Sequence, residues 1–153
     1  MPNWVYSTIA VSGKLTDTQK EILEKISNEG LCKYYLPMPE ELNITSGGKV
    51  NTLRKILGSE DGVMPEDLTE YTPNEIEEAR QSFRNERLYG AKDWYDWCID
   101  NYGTKWGDCD IDVKDTVITF ETAWSPLRQE IIKKFAKDFP NFSYEWEEEQ
   151  GFG

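Results

Sequence analysis

The stretch that decides the fold reads WYDWCIDNYGTKWGDCDIDVKDTVITFETAWSP and covers residues 94–126. Its first part is aromatic and ends at a glycine, which predicts a helix over residues 91–102. Apolar and polar residues then alternate over residues 108–113 and again over residues 116–124. This period of two, interrupted by a short polar connection, predicts a β-hairpin. A Ser-Pro pair after the hairpin opens another helix.

The segments at the two ends of the chain complete an α+β pattern. Residues 3–12 alternate and are rich in β-branched side chains, which predicts a strand. The helix that follows over residues 16–29 begins with capping-box spacing between Thr16 and Gln19. Near the end of the chain, Phe, Tyr and Trp alternate with Ser and Glu over residues 142–147, which predicts a last strand.

Residues 31–106 separate the first helix from the second strand. They contain a proline-bearing segment, residues 31–42, that is predicted to be extended, and a capped helix start at Thr72. Without them the order is β-α-β-β-α-β, the ferredoxin-like pattern. We therefore predict an α+β fold in which residues 1–153 form a single ferredoxin-like domain. Its antiparallel sheet is covered by helices on one face, and residues 31–106 are a helical insertion between the first helix and the second strand.

Composition excludes several classes of function. The net charge of −12 argues against binding to nucleic acid or to anionic membranes, because both require basic surface. The chain contains no histidine, which removes Ser-His-Asp catalysis, Cys-His catalysis and His-ligated zinc. Its apolar runs are too short to span a membrane, and its first residues do not resemble a signal peptide. We therefore expect a cytoplasmic protein with reduced cysteines.

The alternation of the strands predicts an acidic face directed away from the two framework helices. This face is a candidate partner-binding site made of Asp108, Asp110, Asp112, Glu121, Glu145 and Glu147. Three explanations remain open. The face is plain solvated surface, it is paired with basic residues of the insertion, or it docks on a basic surface of another protein. The basic residues concerned are Lys49, Arg54, Lys55, Arg80, Arg84 and Arg87.

A tryptophan-rich cluster gives a second candidate site. Aromatic side chains supply apolar walls with a polar handle, which suits a pocket for a small molecule or nucleotide. The candidate residues are Trp94, Trp97, Lys105, Trp106 and Trp124. The alternative is that these residues are core, because Trp94 and Trp97 have the spacing of a buried helix.

No catalytic, cofactor-binding or metal-binding residue is predicted. The aspartates at 108, 110 and 112 resemble the start of a calcium loop, but the sixth position is Val113 and the twelfth is Thr119, not Gly and Glu. An enzyme that uses paired carboxylates remains a third hypothesis.

Several short motifs resemble the YubB-like family, which comprises uncharacterised bacteriophage and plasmid proteins with a ferredoxin-like domain. The motifs are Trp94-Tyr95-x-Trp97-Cys98, Gly103-Thr104-Lys105-Trp106 and Thr122-Ala123-Trp124-Ser125-Pro126, with Pro2-Asn3-Trp4 and the Pro37-x-Pro39 segment. Tyr102 departs from the family pattern, which often has Trp at that place. The resemblance implies a ferredoxin-like domain with a helical insertion and residence on a mobile element, and it implies no catalytic residue.

Charge, missing catalytic groups and this resemblance together lead to one expectation. We expect a non-enzymatic, acidic interaction protein of a phage or plasmid that binds a host protein through a basic surface which normally holds nucleic acid, as a counter-defence inhibitor would. The alternative is a small-molecule or nucleotide-binding protein that uses the tryptophan-rich cluster.

Overall fold

The computed structural model describes residues 3–149, and the chain forms two compact units. The sheet unit consists of the chain up to Pro37 and from Cys98 onward, and the helical unit is Met38–Trp97. Of the predicted insertion, residues 31–106, both end segments belong to the sheet unit. In chain order the elements are β1 (Trp4–Val11), α1 (Asp17–Glu29), α2 (Leu31–Tyr35), a 3-10 turn (Glu40–Leu42), α3 (Gly48–Leu57), α4 (Pro73–Tyr89), α5 (Trp94–Tyr102), β2 (Cys109–Lys114), β3 (Val117–Ala123), α6 (Gln129–Asp138) and β4 (Phe142–Glu148).

The four strands form one sheet in the order β2-β3-β1-β4, and every neighbouring pair is antiparallel. This is the strand order of a ferredoxin-like fold, so the predicted α+β class is confirmed. Alternation along β1 gives the sheet two distinct faces: Val5 and Ile9 are completely buried, whereas Tyr6 between them is 40% exposed. We call the face that carries Tyr6 the open face.

The buried face of the sheet packs against the helices α1 and α6. Ile26 of α1 and Phe135 of α6 are completely buried. The ring of Phe135 stacks on Phe139 at 4.6 Å and meets the ring of Phe142 of β4 edge-on at 5.2 Å. Each such buried side chain stabilises the fold by about 2–3 kcal/mol, so this layer holds the sheet unit together.

The first helix begins as predicted. The N–H of Gln19 donates to the hydroxyl oxygen of Thr16 (3.1 Å), and the N–H of Thr16 donates to the side-chain oxygen of Gln19 (2.9 Å). The helix ends at Gly30, whose φ of +97° is accessible to glycine and costly for other residues.

The proline-bearing segment, residues 31–42, was predicted to be extended, and this prediction is wrong. Its first five residues form α2 because a carboxylate from a distant part of the chain caps them. The N–H groups of Leu31 and Cys32 donate to the two oxygens of Asp108 (3.1 and 2.7 Å). The prolines follow the end of this helix, where a residue before proline must leave helical geometry.

The helical unit has its own core between α3 and α4. Val50, Leu53, Leu57 and Ala79 are buried together. The predicted start of α4 is confirmed, because Thr72 and the third helical residue form a reciprocal capping box. The guanidinium of Arg80 donates to two carbonyl oxygens of the loop that joins α3 to α4 (2.7 and 2.9 Å), which fixes that loop. No helix within residues 3–149 is long and apolar enough to cross a membrane.

Strand β2 has an irregular register with β3, although burial alternates along it. It pairs Cys109 with Glu121 and Asp112 with Thr119, so β2 has one more residue than β3 between these two pairs. Asp110 lies at this bulge and has a φ of +49°. Because of this extra residue, the register places Cys109 opposite Glu121 and Asp112 opposite Thr119, both on the side of the open face.

Candidate functional site: the open face of the sheet

Two cross-strand rows make up the middle of the open face. In the first row Tyr6 lies between Glu121 of β3 and Glu147 of β4. In the second row Thr8 lies between Thr119 and Glu145, and Asp112 is opposite Thr119 on its other side. Directly paired residues of antiparallel strands project their side chains from the same face. The register therefore brings four of the six predicted acidic residues together: Asp112, Glu121, Glu145 and Glu147.

The carboxylates of the open face repel one another. Burial, together with the adjacent carboxyl of Asp110 and the charge of Glu149, raises the pKa of Glu121 above its usual value. Loss of solvent and the charges of Glu149 and Glu121 also raise the pKa of the Tyr6 hydroxyl. Both shifts have the sign expected where negative charges accumulate without a nearby cation.

The ion pairs of the described residues do not neutralise this face. In the sheet unit Arg128 pairs with Glu130, and six further ion pairs lie in the helical unit. Asp112, Glu145 and Glu147 take part in none of them. The open face therefore presents negative charge to solvent.

Five of the six basic residues named for the insertion are engaged inside the helical unit itself. Lys49 pairs with Glu75 at 2.9 Å, and Arg84 pairs with Glu60 at 2.8 Å. Arg54 pairs with Glu86, Arg87 pairs with Glu60, and Arg80 binds loop carbonyls. These arginines and Lys49 therefore have partners within their own unit.

Two predicted members of the acidic site differ from the others. Asp108 does not contribute to the open face: it precedes β2, and its carboxylate caps α2. Asp110 lies at the bulge, where its carboxyl group raises the pKa of Glu121. An alternating sequence pattern could reveal neither feature, because one depends on a helix 77 residues away and the other on an extra residue in the strand.

The predicted tryptophan cluster is divided between the two units. Trp94 and Trp97 belong to the helical unit, where Trp97 is buried and the indole N–H of Trp94 donates to the hydroxyl of Thr45 (3.3 Å). Lys105, Trp106 and Trp124 belong to the sheet unit.

In the sheet unit, Trp106 stacks on Trp4 of β1, with ring centroids 6.0 Å apart. The ammonium of Lys105 lies 4.7 Å above the ring of Trp106. Trp124, with a φ of +73°, is 59% exposed. Trp4 was absent from the predicted pocket, although the alternation of β1 assigns it to the same face as Tyr6.

A shallow concavity of about 200 Å³ lies over β1 and β4. It is lined by Tyr6, Thr8, Glu145, Trp146 and Glu147. Trp146, which was not predicted as a site residue, is 47% exposed. The alternation of β4 was the signal that assigned Trp146 to the apolar side of the strand, but it could not show that the helices leave this side chain half uncovered.

The described part of the chain offers no arrangement for a metal ion. Among residues 3–149, no group of three or more His, Cys, Asp or Glu side chains is placed to hold one. Burial and the adjacent Asp108 carboxylate raise the pKa of the Cys32 thiol far above its usual range, which disfavours the thiolate form.

Comparison with known families agrees with the topology of the sheet. Residues 101–153 match the model of a family described as the ferredoxin-like domain in Api92-like protein. The matched segment includes β2, β3, α6 and β4. Comparison with curated proteins and with solved structures gave no match. Strand order and family model therefore lead to the same conclusion: the chain has a ferredoxin-like domain, similar over residues 101–153 to the one in Api92-like protein.

Proposed function

We propose that this chain is a non-enzymatic interaction protein whose open sheet face docks on a basic surface of another protein. The observation that carries the proposal is the set of unneutralised carboxylates on adjacent strands, with Glu121 and Glu147 on either side of Tyr6. Glu121 and Glu147 are two strand spacings apart, about 10 Å at the roughly 4.8 Å spacing of neighbouring strands, which is comparable with the Debye length of about 8 Å at physiological salt. They act together on an approaching partner.

A basic surface that normally holds DNA or RNA is the complement of such a face. Phosphates are bound by clusters of Lys and Arg, and a set of carboxylates on a rigid sheet meets the same cations. Electrostatic complementarity of this kind accelerates association and selects the partner. The net charge of −12 adds to the attraction at long range.

The biological setting is part of the same proposal. The resemblance to YubB-like proteins supports an origin on a phage or plasmid, and the bacterial cytoplasm as the site of action. In that setting, a protein that covers the nucleic-acid-binding surface of a host enzyme would inhibit it, as a counter-defence protein does.

The experiment compares three forms of the full chain as baits in lysate of the bacterial host. The first is the wild type, and the second carries Asp112→Lys and Glu145→Lys on the open face. The third carries Glu21→Lys and Glu24→Lys on exposed positions of α1, so the change in net charge is equal. Bound proteins are quantified by mass spectrometry at low and at high salt.

We expect a partner that binds the wild type and the α1 variant at low salt and is lost with the open-face variant. Raising the salt concentration should also release it. If all three baits recover the same proteins, or if none recovers any, the open face is not a docking surface.

A second function is favoured by one observation, the stack of Trp4 on Trp106 beneath the ammonium of Lys105. Aromatic faces and a cation are the groups that bind a nucleotide base and its phosphate. Thermal shift and tryptophan fluorescence with a nucleotide panel test this alternative, with Trp106→Ala as the site variant and Trp146→Ala, outside the tryptophan cluster, as the exposed control. A response that is equal in both variants, or absent throughout, excludes it.

A further inference from the structure

On the basis of the proposed function, we infer that the partner contributes an extended segment that adds to the sheet as a fifth strand beside β4. The segment alternates basic and apolar residues. Strand addition is an established mode of peptide recognition, in which backbone hydrogen bonds give affinity and alternate side chains give specificity.

The first step is that β4 has a free edge. It is a terminal strand of the sheet and pairs only with β1 among the described residues. Two backbone bonds fix which residues face β1: the N–H of Glu149 donates to the carbonyl of Trp4, and the N–H of Ser12 donates to the carbonyl of Asn141, both at 2.8 Å. Hydrogen-bonded and non-hydrogen-bonded pairs alternate along an antiparallel ladder.

This alternation determines what the edge presents. Glu145 and Glu147 direct their backbone groups to β1, whereas Tyr144 and Trp146 direct their N–H and C=O groups away from the sheet. Among residues 3–149, no backbone hydrogen bond outside the regular helices and strands uses these outward groups. The edge thus offers donors and acceptors in the spacing that an added strand needs.

The side chains of β4 specify the residues of the added strand. On the open face Glu145 and Glu147 line the shallow concavity, so the neighbouring positions of the partner should be Lys or Arg. On the other face Trp146 pairs with the buried residue Ser7, yet is 47% exposed. An apolar residue beside Trp146 would cover this surface.

A second copy of the same chain is a poor occupant of this edge. An antiparallel pairing of two β4 strands would bring Glu145, Glu147 and Glu148 of both copies together, and like charges across strands are destabilising. The other edge of the sheet, β2, is distorted by the bulge at Asp110, a feature that discourages strand addition. A basic segment beside β4 is therefore the arrangement that the charges favour.

The experiment uses synthetic peptides of about eight residues that alternate lysine and valine, a length that matches β4. One peptide is unmodified. The second is N-methylated at the valines and the third at the lysines, so the three have the same charge and side chains. Binding of each to the full chain is measured by fluorescence anisotropy at low salt.

The geometry predicts different results for the two methylated peptides. Opposed residues in an antiparallel pair share a face, so the valines beside Tyr144 and Trp146 would donate their N–H groups to β4. Methylation of the valines should weaken binding at least about tenfold, because two or more backbone hydrogen bonds are lost. Methylation of the lysines, whose N–H groups point away from β4, should change it less than about threefold.

The possible results separate this inference from the proposed function. If the three peptides bind equally and the Asp112→Lys, Glu145→Lys variant binds none of them, docking is purely electrostatic and strand addition is wrong, while the proposed function stands. If no peptide binds, strand addition is overturned, and the lysate comparison decides the proposed function independently.

Discussion

Replacement of Asp108 by alanine should destabilise the protein far more than replacement of any acidic residue on the open face. The carboxylate of Asp108 accepts hydrogen bonds from the N–H groups of Leu31 and Cys32 at 3.1 and 2.7 Å. Gly30, which occupies the N-cap position of α2, has no side chain that could take its place. Asp108 is therefore the cap of this helix, supplied from across the fold.

The magnitude follows from the number and environment of these bonds. A hydrogen bond to a charged group contributes about 1.5–3 kcal/mol, and loss of a helix cap typically costs about 1 kcal/mol. Leu31 and Cys32 are almost completely buried, so water cannot reach their freed N–H groups without local opening. We expect Asp108→Ala to lower the free energy of unfolding by about 2–4 kcal/mol, and Asp108→Asn by about half as much.

The matched control is Asp112→Ala, an identical change four residues along the chain at an exposed position of β2. It should alter the free energy of unfolding by less than about 0.5 kcal/mol. Urea denaturation of the three variants measures the difference, and thiol labelling of Cys32 in the native state reports local opening of α2. Equal stabilities for Asp108→Ala and Asp112→Ala would refute the assignment of Asp108 as a helix cap.

Three further predictions concern single positions. Gly30→Ala should lower the free energy of unfolding by at least about 1 kcal/mol more than Gly13→Ala does. Both glycines have positive φ, but only at Gly30 would an added Cβ meet an Asp108 oxygen, at 2.9 Å. Equal losses of stability in urea denaturation would contradict this contact. Burial and neighbouring carboxylates raise the pKa of Glu121 in the folded state. Between the pKa of the unfolded state and this raised pKa, the folded state therefore binds more protons than the unfolded state. The contribution of Glu121 to stability falls as the pH rises through this range. Glu121→Gln should therefore raise the melting temperature at pH 7 by roughly 1–2 °C and flatten its dependence on pH above the usual carboxyl pKa; an unchanged pH profile would show that the carboxylates do not interact. Arg80→Ala should lower the free energy of unfolding by about 1–2 kcal/mol and make the loop between α3 and α4 sensitive to protease, because two hydrogen bonds to loop carbonyls are lost. Cleavage at the wild-type rate would mean that other contacts hold the loop.

Local patterns in the sequence were sufficient to predict the ferredoxin-like sheet. Alternation identified β1 and β3 because one face of each strand is buried, and a buried face imposes a period of two. The capping box of Thr16 and Gln19 is equally local, because both partners lie within one helical turn. These features require no knowledge of the rest of the chain.

The features that the sequence did not reveal depend on distant partners. The helix α2 exists because Asp108 caps it, and two prolines just beyond it suggested extended backbone instead. The bulge of β2 is a property of its register with β3, and the pattern of aspartates and apolar residues is compatible with a regular strand as well. The stack of Trp4 on Trp106 joins residues that are close only after the sheet has formed.

Hydrogen bonds within the sheet unit join the point where the chain leaves it to the point where the chain returns. The hydroxyl of Tyr102, just after the return, donates to the carbonyl of Leu36, just before the exit, at 2.6 Å. The N–H of Arg128 bonds the carbonyl of the same tyrosine at 2.9 Å. These hydrogen bonds hold the exit and return points of the chain together within the sheet unit. A change in the length of the segment between them therefore has little entropic cost. We therefore expect changes in the length of the intervening sixty or so residues to be tolerated.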